Sequence, residues 1–395
     1  MTDEKSRQLV TFNIDTLSTA CGVEMAQDSN PSYWAEYTNL QHLKHALIRE
    51  YLNGWFPKLG FWSGRIVYLD THAGRGRHAA GQTGSPVMAI ETLLSHTYRD
   101  RILQKSEVMF FLIEHDPQNV ELLRAEVAAL GNIPKRIQVH ISCDDCFTQM
   151  ERILSNLEEK GKRIAPAFVF VDPYGFKVPG NLIRRLLAAG RVEVFVNIIW
   201  RELDMAMAQA RHQSGGGMVE TLSFVFGGEG WRDVARESSF DLRADKAIDL
   251  LRELYGARWV TSMRMLGDNR VTRYVLAHFT NHEAGRELMK DCMWAGCPDG
   301  GFYARRSDNP HQTMLIEVEP NLRSLDEWLT QELNRGATRW AILSERIRDH
   351  LWRQAHLSQV IRKRRREGTI VASDFNGRFS EKANPLLTLA ENRGN

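Results

Sequence analysis

The sequence predicts an α/β fold in which helices cover both faces of an open, mostly parallel sheet. In the stretch 65–90 an apolar run ends in Asp70, and a glycine-rich turn and a helical pattern follow. This order of strand, turn and helix is typical of the first unit of such a sheet. Two later apolar runs, 258–266 and 273–281, are separated by Gly267-Asp268-Asn269-Arg270, which is typical of a hairpin. We therefore expect a Rossmann-like sheet of five parallel strands that ends in an antiparallel hairpin.

The length of the chain and the breaks in its pattern predict more than one domain. A chain of 395 residues is too long for one small core. Glycine-rich breaks at 215–217 and 227–230 interrupt a long helical stretch after the fifth strand and mark it as an insertion over the carboxyl edge of the sheet. The predicted order is an N-terminal extension (1–35), a Rossmann-like domain (36–200 and 257–330), a helical insertion for target recognition (201–256), a winged-helix module (336–382) and a C-terminal tail (383–395).

Composition narrows the class of protein. Hydrophobic residues make up 43% of the chain, and the net charge of +2 means that any basic surface is local. The sequence shows neither an apolar signal-peptide core nor a run of about 18 apolar residues, so we expect a cytoplasmic protein without a membrane partner. The pairs Cys143/Cys146 and Cys292/Cys297 are too far apart and too loosely spaced for a convincing zinc site, and we expect reduced thiols and no metal.

The glycine turn is a candidate nucleotide site. Gly74, Gly76 and Ala79 fit the spacing G-x-G-x-x-A, although a tight turn without a ligand gives the same pattern. Asp70 precedes the glycines, and its carboxylate would repel a pyrophosphate but attract a cationic amino group. S-adenosylmethionine carries such a group and NAD does not. The methyl donor is therefore the predicted cofactor.

Acidic residues follow the next two predicted strands, 108–113 and 137–141. Glu114 lies at the carboxyl end of the second strand, where a carboxylate can accept hydrogen bonds from both ribose hydroxyls. Asp144 or Asp145 lies just beyond the third strand and can reach an adenine amino group. The alternative is that one of them caps the following helix.

The fourth predicted strand, 167–171, is continuously apolar and ends in Asp172-Pro173-Tyr174-Gly175. An exocyclic base amine is a poor nucleophile because its lone pair is delocalised into the ring. A carboxylate and a carbonyl that accept its N–H bonds would localise that lone pair, and an aromatic ring would stack on the base. Asp172, the carbonyl of Pro173 and Tyr174 supply these three groups. The alternative interpretation is a simple turn after a buried strand.

Several motifs resemble known families. Residues 68–77, together with the preceding Leu43-Lys44-His45 helix, resemble the cofactor region of RlmJ-type ribosomal RNA adenine-N6 methyltransferases. Over nearly the whole chain the sequence is more similar to the three-Cys-motif partner (TcmP) family, in residues 84–86, 170–175 and 280–285. The TcmP resemblance also includes Met289 and Trp294.

These resemblances imply a class I methyltransferase core and a partner protein that bears three cysteines. The Asp-Pro-Tyr-Gly form also resembles tRNA guanine-N2 dimethyltransferases and departs from the Asp-Pro-Pro-Tyr of adenine enzymes, so the target base stays open between adenine and guanine. The expected cofactor contacts are Lys44, Asp70, His72, Ala73, Gly74, Gly76, Ser85, Glu114, Asp144 and Asp145.

The C-terminal stretch predicts a separate module. An amphipathic helix over 338–352, a second helix over 356–368 and two short strands at 369–373 and 377–380 are typical of a winged helix. Five consecutive cations on the second helix are candidate nucleic-acid contacts; they are Arg362, Lys363, Arg364, Arg365 and Arg366. A solvated charged face or a docking surface for a protein are the alternatives.

Together these patterns predict an S-adenosylmethionine-dependent methyltransferase that acts on an exocyclic base amine, adenine N6 or guanine N2, of RNA or DNA. The alternative is a non-catalytic adaptor that binds nucleic acid and works with the three-Cys partner. Asp70 and the absence of an evident proton-transfer dyad disfavour a nicotinamide-dependent oxidoreductase.

Overall fold

A computed structural model describes residues 38–267, 270–297, 303–305 and 320–390. The predicted N-terminal extension, residues 1–35, lies outside the described residues. The chain divides into two compact units, the first formed by Met1–Arg286 and Tyr303–Gln312 and the second by Glu287–Phe302 and Thr313–Asn395. The sequence placed the end of the first domain at 330, whereas this division assigns residues from Glu287 onward largely to the second unit.

Helices and strands alternate along the first unit. In chain order they are α1 (Asn39–Gly60), β1 (Arg65–Asp70), α2 (Ser85–Leu94), α3 (Arg99–Lys105), β2 (Glu107–Glu114), α4 (Pro117–Ala129), β3 (Ile137–Cys143), α5 (Cys146–Glu159), β4 (Ile164–Val171), α6 (Gly180–Ala188), β5 (Gly190–Ile198), α7 (Trp200–Ala210), α8 (Gly217–Phe226), α9 (Trp231–Ala235), α10 (Phe240–Tyr255), β6 (Trp259–Leu266), β7 (Thr272–Thr280), α11 (Glu283–Gly296) and β8 (Tyr303–Arg305). Most of α11, from Glu287 onward, belongs to the second unit.

The strands form one sheet in the order β3-β2-β1-β4-β5-β7-β6-β8. Strands β1 to β5 are parallel, and β7 is antiparallel to both β5 and β6. The predicted Rossmann-like sheet with five parallel strands and a terminal hairpin is confirmed. Strands β2 and β3 lie on one side of β1, whereas β4 and β5 lie on its other side. The strand order therefore reverses between β1 and β4. Ligands of open α/β sheets bind outside the carboxyl ends of the strands at such a point.

Alternation along the central strands gives the sheet two different faces. Val67, Val169 and Val194 point into one aliphatic core together with α5, α6 and the helices that follow β5. On the other face the ring of Phe168 lies 6.1 Å from that of Tyr68 and 6.2 Å from that of Trp55 on α1. Burial on both faces explains why β4 reads as a continuous apolar run.

The stretch between β5 and β6 is helical, as predicted, and comprises α7 to α10. Its buried residues, such as Trp200, Leu222 and Trp231, belong to the same core as the strands. The glycine-rich breaks separate α7 from α8 and α8 from α9. At Gly227 the backbone is left-handed (φ 65°), and a Cβ there would lie 2.4 Å from Leu254 Cδ1. Most of this stretch therefore covers a face of the sheet, and the expected position over the carboxyl edge applies only to its first turn, where Glu202 lines a cavity.

The second unit contains short helices and a small antiparallel sheet. Its elements are α12 (Arg323–Asn334), β9 (Thr338–Arg339), α13 (Trp340–Arg346), a 3₁₀ turn (Ile347–Asp349), α14 (Gln354–Arg366), β10 (Ile370–Ser373) and β11 (Leu386–Leu389). The strand order is β10-β11-β9. Leu329, Leu343, Ile361 and Leu387 share its apolar core.

Two predictions for this unit were wrong. The segment 377–380 is not a strand, because the antiparallel partner of β10 is β11, which lies in the segment predicted to be a tail. Phe379, the apolar residue of the predicted strand, instead packs its ring 5.1 Å from the ring of Trp340. The predicted helix 338–352 is also shorter, since β9 precedes α13 and a 3₁₀ turn ends it.

Among the described helices, none combines the length and apolar character that a membrane crossing requires. Within the same residues, no group of three or more His, Cys, Asp or Glu side chains is placed to hold a metal ion. The four described cysteines are free thiols.

Candidate functional site

A cavity of about 480 Å³ lies outside the carboxyl ends of β1, β4 and β5. Its lining comes from α1, the turn after β1, the start of α2, the turn after β4, the start of α7 and the start of β7. Of the residues that the sequence singled out, seven line it; they are Lys44, His72, Ala73, Ser85, Asp172, Pro173 and Tyr174. The predicted catalytic turn and part of the predicted cofactor site therefore share one cavity.

Asp172 is held by two side chains from other elements. Lys44 Nζ on α1 lies 2.5 Å from Asp172 Oδ2, and Asn197 Nδ2 at the end of β5 donates to Asp172 Oδ1 at 2.6 Å. Lys44 is almost fully buried, with 3% of its side chain exposed, against 14% for Asp172. A buried cation needs such a partner because burial removes its hydration. The structure thus places Lys44, a predicted cofactor contact, on the predicted catalytic carboxylate.

The charge of Asp172 follows from these contacts. Burial by itself raises the pKa of this carboxyl. The charge and hydrogen bond of Lys44 and the hydrogen bond of Asn197 lower it by more, so the net pKa lies below its usual value. Asp172 is therefore an anion at neutral pH. Each of its oxygens accepts one of these bonds and keeps a second lone pair.

The turn after β4 presents the remaining two predicted groups. The carbonyl of Pro173 accepts a hydrogen bond from the N–H of Gly175 at 3.1 Å and has a second lone pair for another donor. Gly175 has φ 117°, a conformation that side chains rarely adopt, and this tight turn leaves 54% of Tyr174 exposed. The ring of Tyr174 is thus available at the cavity.

Asp70 lies one hydrogen bond behind the cavity wall. Its carboxylate is fully buried and accepts bonds from Ser85 Oγ at 2.7 Å, Tyr68 OH at 3.2 Å and the His72 N–H at 3.3 Å. Ser85 and His72 line the cavity and Asp70 does not. Burial is the main reason that the pKa of Asp70 rises to about 7, and the charge of Asp172 raises it further. Ser85 therefore lies between Asp70 and the cavity, and a direct contact of Asp70 with a ligand stays a prediction.

Glu114 organises the glycine turn. Its buried carboxylate accepts the N–H of Gly74 at 2.8 Å and the N–H of Asp116 at 2.9 Å. Gly74 and Gly76 both have positive φ, at 61° and 85°, which explains the glycines in this turn. Neither glycine nor Glu114 lines the cavity described above.

The two aspartates after β3 have local partners. Asp145 Oδ1 accepts the N–H of Thr148 at 2.8 Å and caps α5, which was the alternative to an adenine contact. Asp144 Oδ2 accepts a bond from Arg152 Nη1 at 3.1 Å.

Three histidines lie in or beside the cavity. Burial is the main reason that the pKa values of all three are low. The pKa of His72 and that of His78 each fall to about 4, and the pKa of His45 lies well below its usual value. The charge of Lys44 acts in the same direction on His45 and His78. All three imidazoles are therefore neutral at pH 7.

Sequence reasoning missed several residues that line the cavity. They are Gln41, His78, Asn197, Glu202, Arg273 and Tyr274. Gln41 lies three residues before Lys44 on α1, so a search along that helix could have found it. His45, which the sequence named on the same helix, also lines the cavity. Asn197 and Glu202 flank the carboxyl end of β5, which the parallel topology places at the same edge as Asp172.

The basic run of the second unit divides into two groups. Arg364 forms a bidentate pair with Asp326, at 2.7 and 2.8 Å, and also donates to Thr330 at 2.9 Å. Arg364 therefore joins α14 to α12, and its role as a nucleic-acid contact stays a prediction. Arg365 stacks over Phe375, with 3.9 Å between the guanidinium carbon and the ring centroid.

The outward arginines of this run share a groove of about 460 Å³. Arg362, Arg365 and Arg366 line it with Phe375 and Gly377. We call this surface the arginine groove. Lys363 is exposed but does not line it.

Comparison with known proteins gives weak structural matches. Protein LPL1258 of Legionella pneumophila, a DUF519 protein, is 13% identical over 62% of this chain and 85% of its own, with a TM-score of 0.36. An O-methyltransferase from Bacillus cereus in complex with S-adenosylhomocysteine is 10% identical over 62% and 83%, with a TM-score of 0.32. An S-adenosylmethionine-dependent methyltransferase from Agrobacterium tumefaciens is 9% identical over 60% and 61%, also at 0.32.

All three TM-scores are below 0.5, so the fold assignment rests on the strand order of the sheet. No family model matches the chain. No curated protein matches it either.

The buried ion pair predicts a strong coupling between Lys44 and Asp172. Replacing one partner leaves the other charge buried without compensation, so Lys44→Met should lower the free energy of unfolding by about 3–5 kcal/mol. The double variant Lys44→Met/Asp172→Asn should recover a large part of this loss. Urea unfolding of the two single variants and the double variant measures the coupling. Costs that simply add would contradict the pair.

The raised pKa of Asp70 predicts a dependence of stability on pH. Between the usual pKa of 3.8 and about 7 the unfolded chain loses the proton and the folded chain keeps it, so this contribution to stability falls as pH rises. Asp70→Asn removes the titration. We measure the free energy of unfolding of both proteins in urea. The value for the variant minus that for wild type should rise by about 2–3 kcal/mol between pH 5 and pH 8.

The matched control for this change is Asp100→Asn. The side chain of Asp100 is 78% exposed, so its difference from wild type should stay constant over the same pH range. A constant difference for Asp70→Asn as well would contradict the assignment.

Proposed function

We propose that this chain is an S-adenosylmethionine-dependent methyltransferase that acts on an exocyclic amine of a nucleic-acid base. The observation that carries the proposal is the turn after β4, where an anionic Asp172, the Pro173 carbonyl and an exposed Tyr174 share a cavity. That cavity lies at the carboxyl edge of a sheet whose strand order reverses beside it. Open α/β sheets bind their nucleotide ligands at this position.

The residues beside the cavity fit the cofactor. Ser85, His72 and Ala73 line the wall next to the glycine turn, and buried Asp70 supports Ser85 and the backbone of His72. Glu114 does not line the cavity itself and lies behind the glycine turn, where each of its oxygens keeps one lone pair beyond the backbone bonds, which suits a pair of ribose hydroxyls. When bound there, S-adenosylmethionine supplies an electrophilic methyl group.

The chain's own groups then act on the acceptor. Asp172 and the Pro173 carbonyl accept N–H bonds from the amine and localise its lone pair, and Tyr174 stacks on the base. As the new N–C bond forms, the sulfur–carbon bond breaks and the amine loses one proton. That proton passes to solvent, and Asp172 stays an anion. Lys44 and Asn197 fix the carboxylate and keep it ionised.

The second unit supplies a surface for the nucleic acid. Its order of α12, β9, α13, α14, β10 and β11 supports the winged-helix interpretation, with α14 as the recognition helix. The arginine groove on α14 carries three cations that suit phosphates, and stacking on Phe375 orients Arg365 in advance. We assign RNA or DNA as the partner on this basis.

One observation favours a second candidate, a non-catalytic adaptor. Both oxygens of Asp172 already accept a bond from the protein, an arrangement that a purely structural aspartate would also show. An adaptor of this kind would bind nucleic acid through the arginine groove and work with the three-Cys partner that the TcmP resemblance implies.

Asp172→Asn separates the two functions. In the enzyme this change removes the charge that stabilises the transition state, so single-turnover methylation should fall by about a hundredfold or more. Cofactor affinity, measured by calorimetry, should stay within a few-fold. The assay uses labelled S-adenosylmethionine and mixed RNA and DNA, with mass spectrometry of the nucleosides.

The control is Asp233→Asn, since the side chain of Asp233 is 81% exposed and lies outside the cavity. Its rate should equal that of wild type. If Asp172→Asn keeps the full rate, the catalytic assignment is wrong. If neither wild type nor variant methylates any nucleoside but both bind nucleic acid, the adaptor is correct.

The arginine groove predicts a salt-dependent affinity for nucleic acid. Replacing Arg362, Arg365 and Arg366 with Gln removes up to three phosphate contacts. The negative slope of log affinity against log salt concentration should therefore become less steep by about 2–3. Lys363→Gln is the matched control, because Lys363 belongs to the same run but lies outside the groove. Fluorescence anisotropy at several salt concentrations measures the slopes. Equal slopes for the triple variant and wild type would rule out the groove as the phosphate site.

A further inference from the structure

A second carboxylate faces the cavity beside the catalytic turn. Glu202 lies in the first turn of α7 and lines the cavity together with Asp172 and Tyr174. Its side chain is exposed, and within the described part of the chain no hydrogen bond or ion pair engages it. Neither the catalytic turn nor the expected cofactor site accounts for this group.

The packing of α7 fixes the position of Glu202. Trp200 and Leu203 on either side of it are 0% and 1% exposed and anchor the first turn of the helix in the core. Glu202 Oε2 lies 3.7 Å from the point where a Cβ would stand on Gly175. The carboxylate therefore lies beside the turn that carries Asp172, and a base at this turn would meet it.

The edge of a base determines which bases tolerate a carboxylate there. Guanine presents two adjacent donors, N1–H and the N2 amine, and one carboxylate can accept from both. Adenine and cytosine present an amine beside a ring nitrogen that is itself an acceptor, so one carboxylate oxygen would face a lone pair. A hydrogen bond to an ionised acceptor is among the stronger ones. A base that leaves this carboxylate unpaired should therefore be strongly disfavoured against guanine.

We infer that Glu202 is the base-selecting residue and that the methyl acceptor is the N2 amine of guanine. This inference rests on the proposed function and specifies its target. Glu202 accepts N1–H, while Asp172 and the Pro173 carbonyl accept the two N2–H bonds as in the proposed function. The new bond joins N2 to the methyl carbon, the sulfur–carbon bond breaks, and the proton on the Asp172 side leaves.

The first experiment identifies the product. Purified full-length protein is incubated with labelled S-adenosylmethionine and random-sequence RNA and DNA that contain all four bases, and the nucleosides are analysed by mass spectrometry. The expected product is N2-methylguanine. Methylation of adenine N6 or cytosine N4 would overturn the inference and leave the proposed function intact. No methylated base at all would overturn both.

The second experiment tests Glu202 directly. Glu202→Gln keeps the size of the side chain but replaces one acceptor oxygen with a donor, so kcat/KM on guanine should fall by about ten- to a hundredfold. The matched control is Glu220→Gln, because Glu220 is an exposed first-turn glutamate on α8 that lies outside the cavity. The control should retain the wild-type kcat/KM. An equal effect of the two variants would overturn the inference.

A substrate analogue distinguishes hydrogen bonding from a general effect of the variant. Nucleic acid in which 1-methylguanine replaces guanine keeps the N2 amine but lacks the N1–H donor. Wild type should lose at least tenfold in kcat/KM on this substrate, whereas Glu202→Gln should lose little more than it already has. Equal losses for wild type and variant would show that Glu202 does not read N1–H, and the inference would be wrong.

Discussion

The buried ion pair between Lys44 and Asp172 is the interaction on which the candidate site depends. It joins α1 to the carboxyl end of β4, across 128 positions of sequence. Burial of the lysine is tolerable only because a carboxylate compensates its charge, and the same cation keeps that carboxylate ionised. One contact therefore sets the orientation of α1 at the cavity, the charge of Asp172 and, with Asn197, the direction in which its free lone pairs point.

The sheet brings the remaining groups to this pair. Because β1, β4 and β5 are parallel and adjacent, the residues that follow them meet at one edge. The glycine turn, the Asp-Pro-Tyr-Gly turn and the start of α7 are consequently neighbours, although they come from positions near 72, 172 and 200. The close-packed core beneath the sheet supports these turns.

Three carboxylates near the cavity have different electrostatic states for identifiable reasons. Asp172 has a cation beside it, and its pKa is lowered. Asp70 has only neutral donors, and burial raises its pKa to about 7. Glu202 is exposed at the cavity, within a helix turn fixed by Trp200. The roles that we propose for these carboxylates differ accordingly, since Asp172 accepts N–H bonds, Asp70 supports Ser85 and Glu202 reads a base edge. In the second unit the basic run is likewise divided, since helix geometry points Arg364 at Asp326 and its neighbours at the arginine groove.

The sequence by itself determined the α/β class, the five parallel strands, the hairpin and the Asp-Pro-Tyr-Gly turn, because apolar runs and glycine or proline punctuation are local properties. It also identified the basic helix, whose helical pattern is local as well. Only the tertiary structure decided that Lys44 pairs with Asp172, that Ser85 donates to Asp70 and that Asp145 caps a helix. It also decided that Arg364 pairs with Asp326 and that β11, rather than 377–380, pairs with β10. These outcomes depend on which distant groups meet and how much water each loses, and neither the partner nor the burial of a side chain is encoded within its own segment.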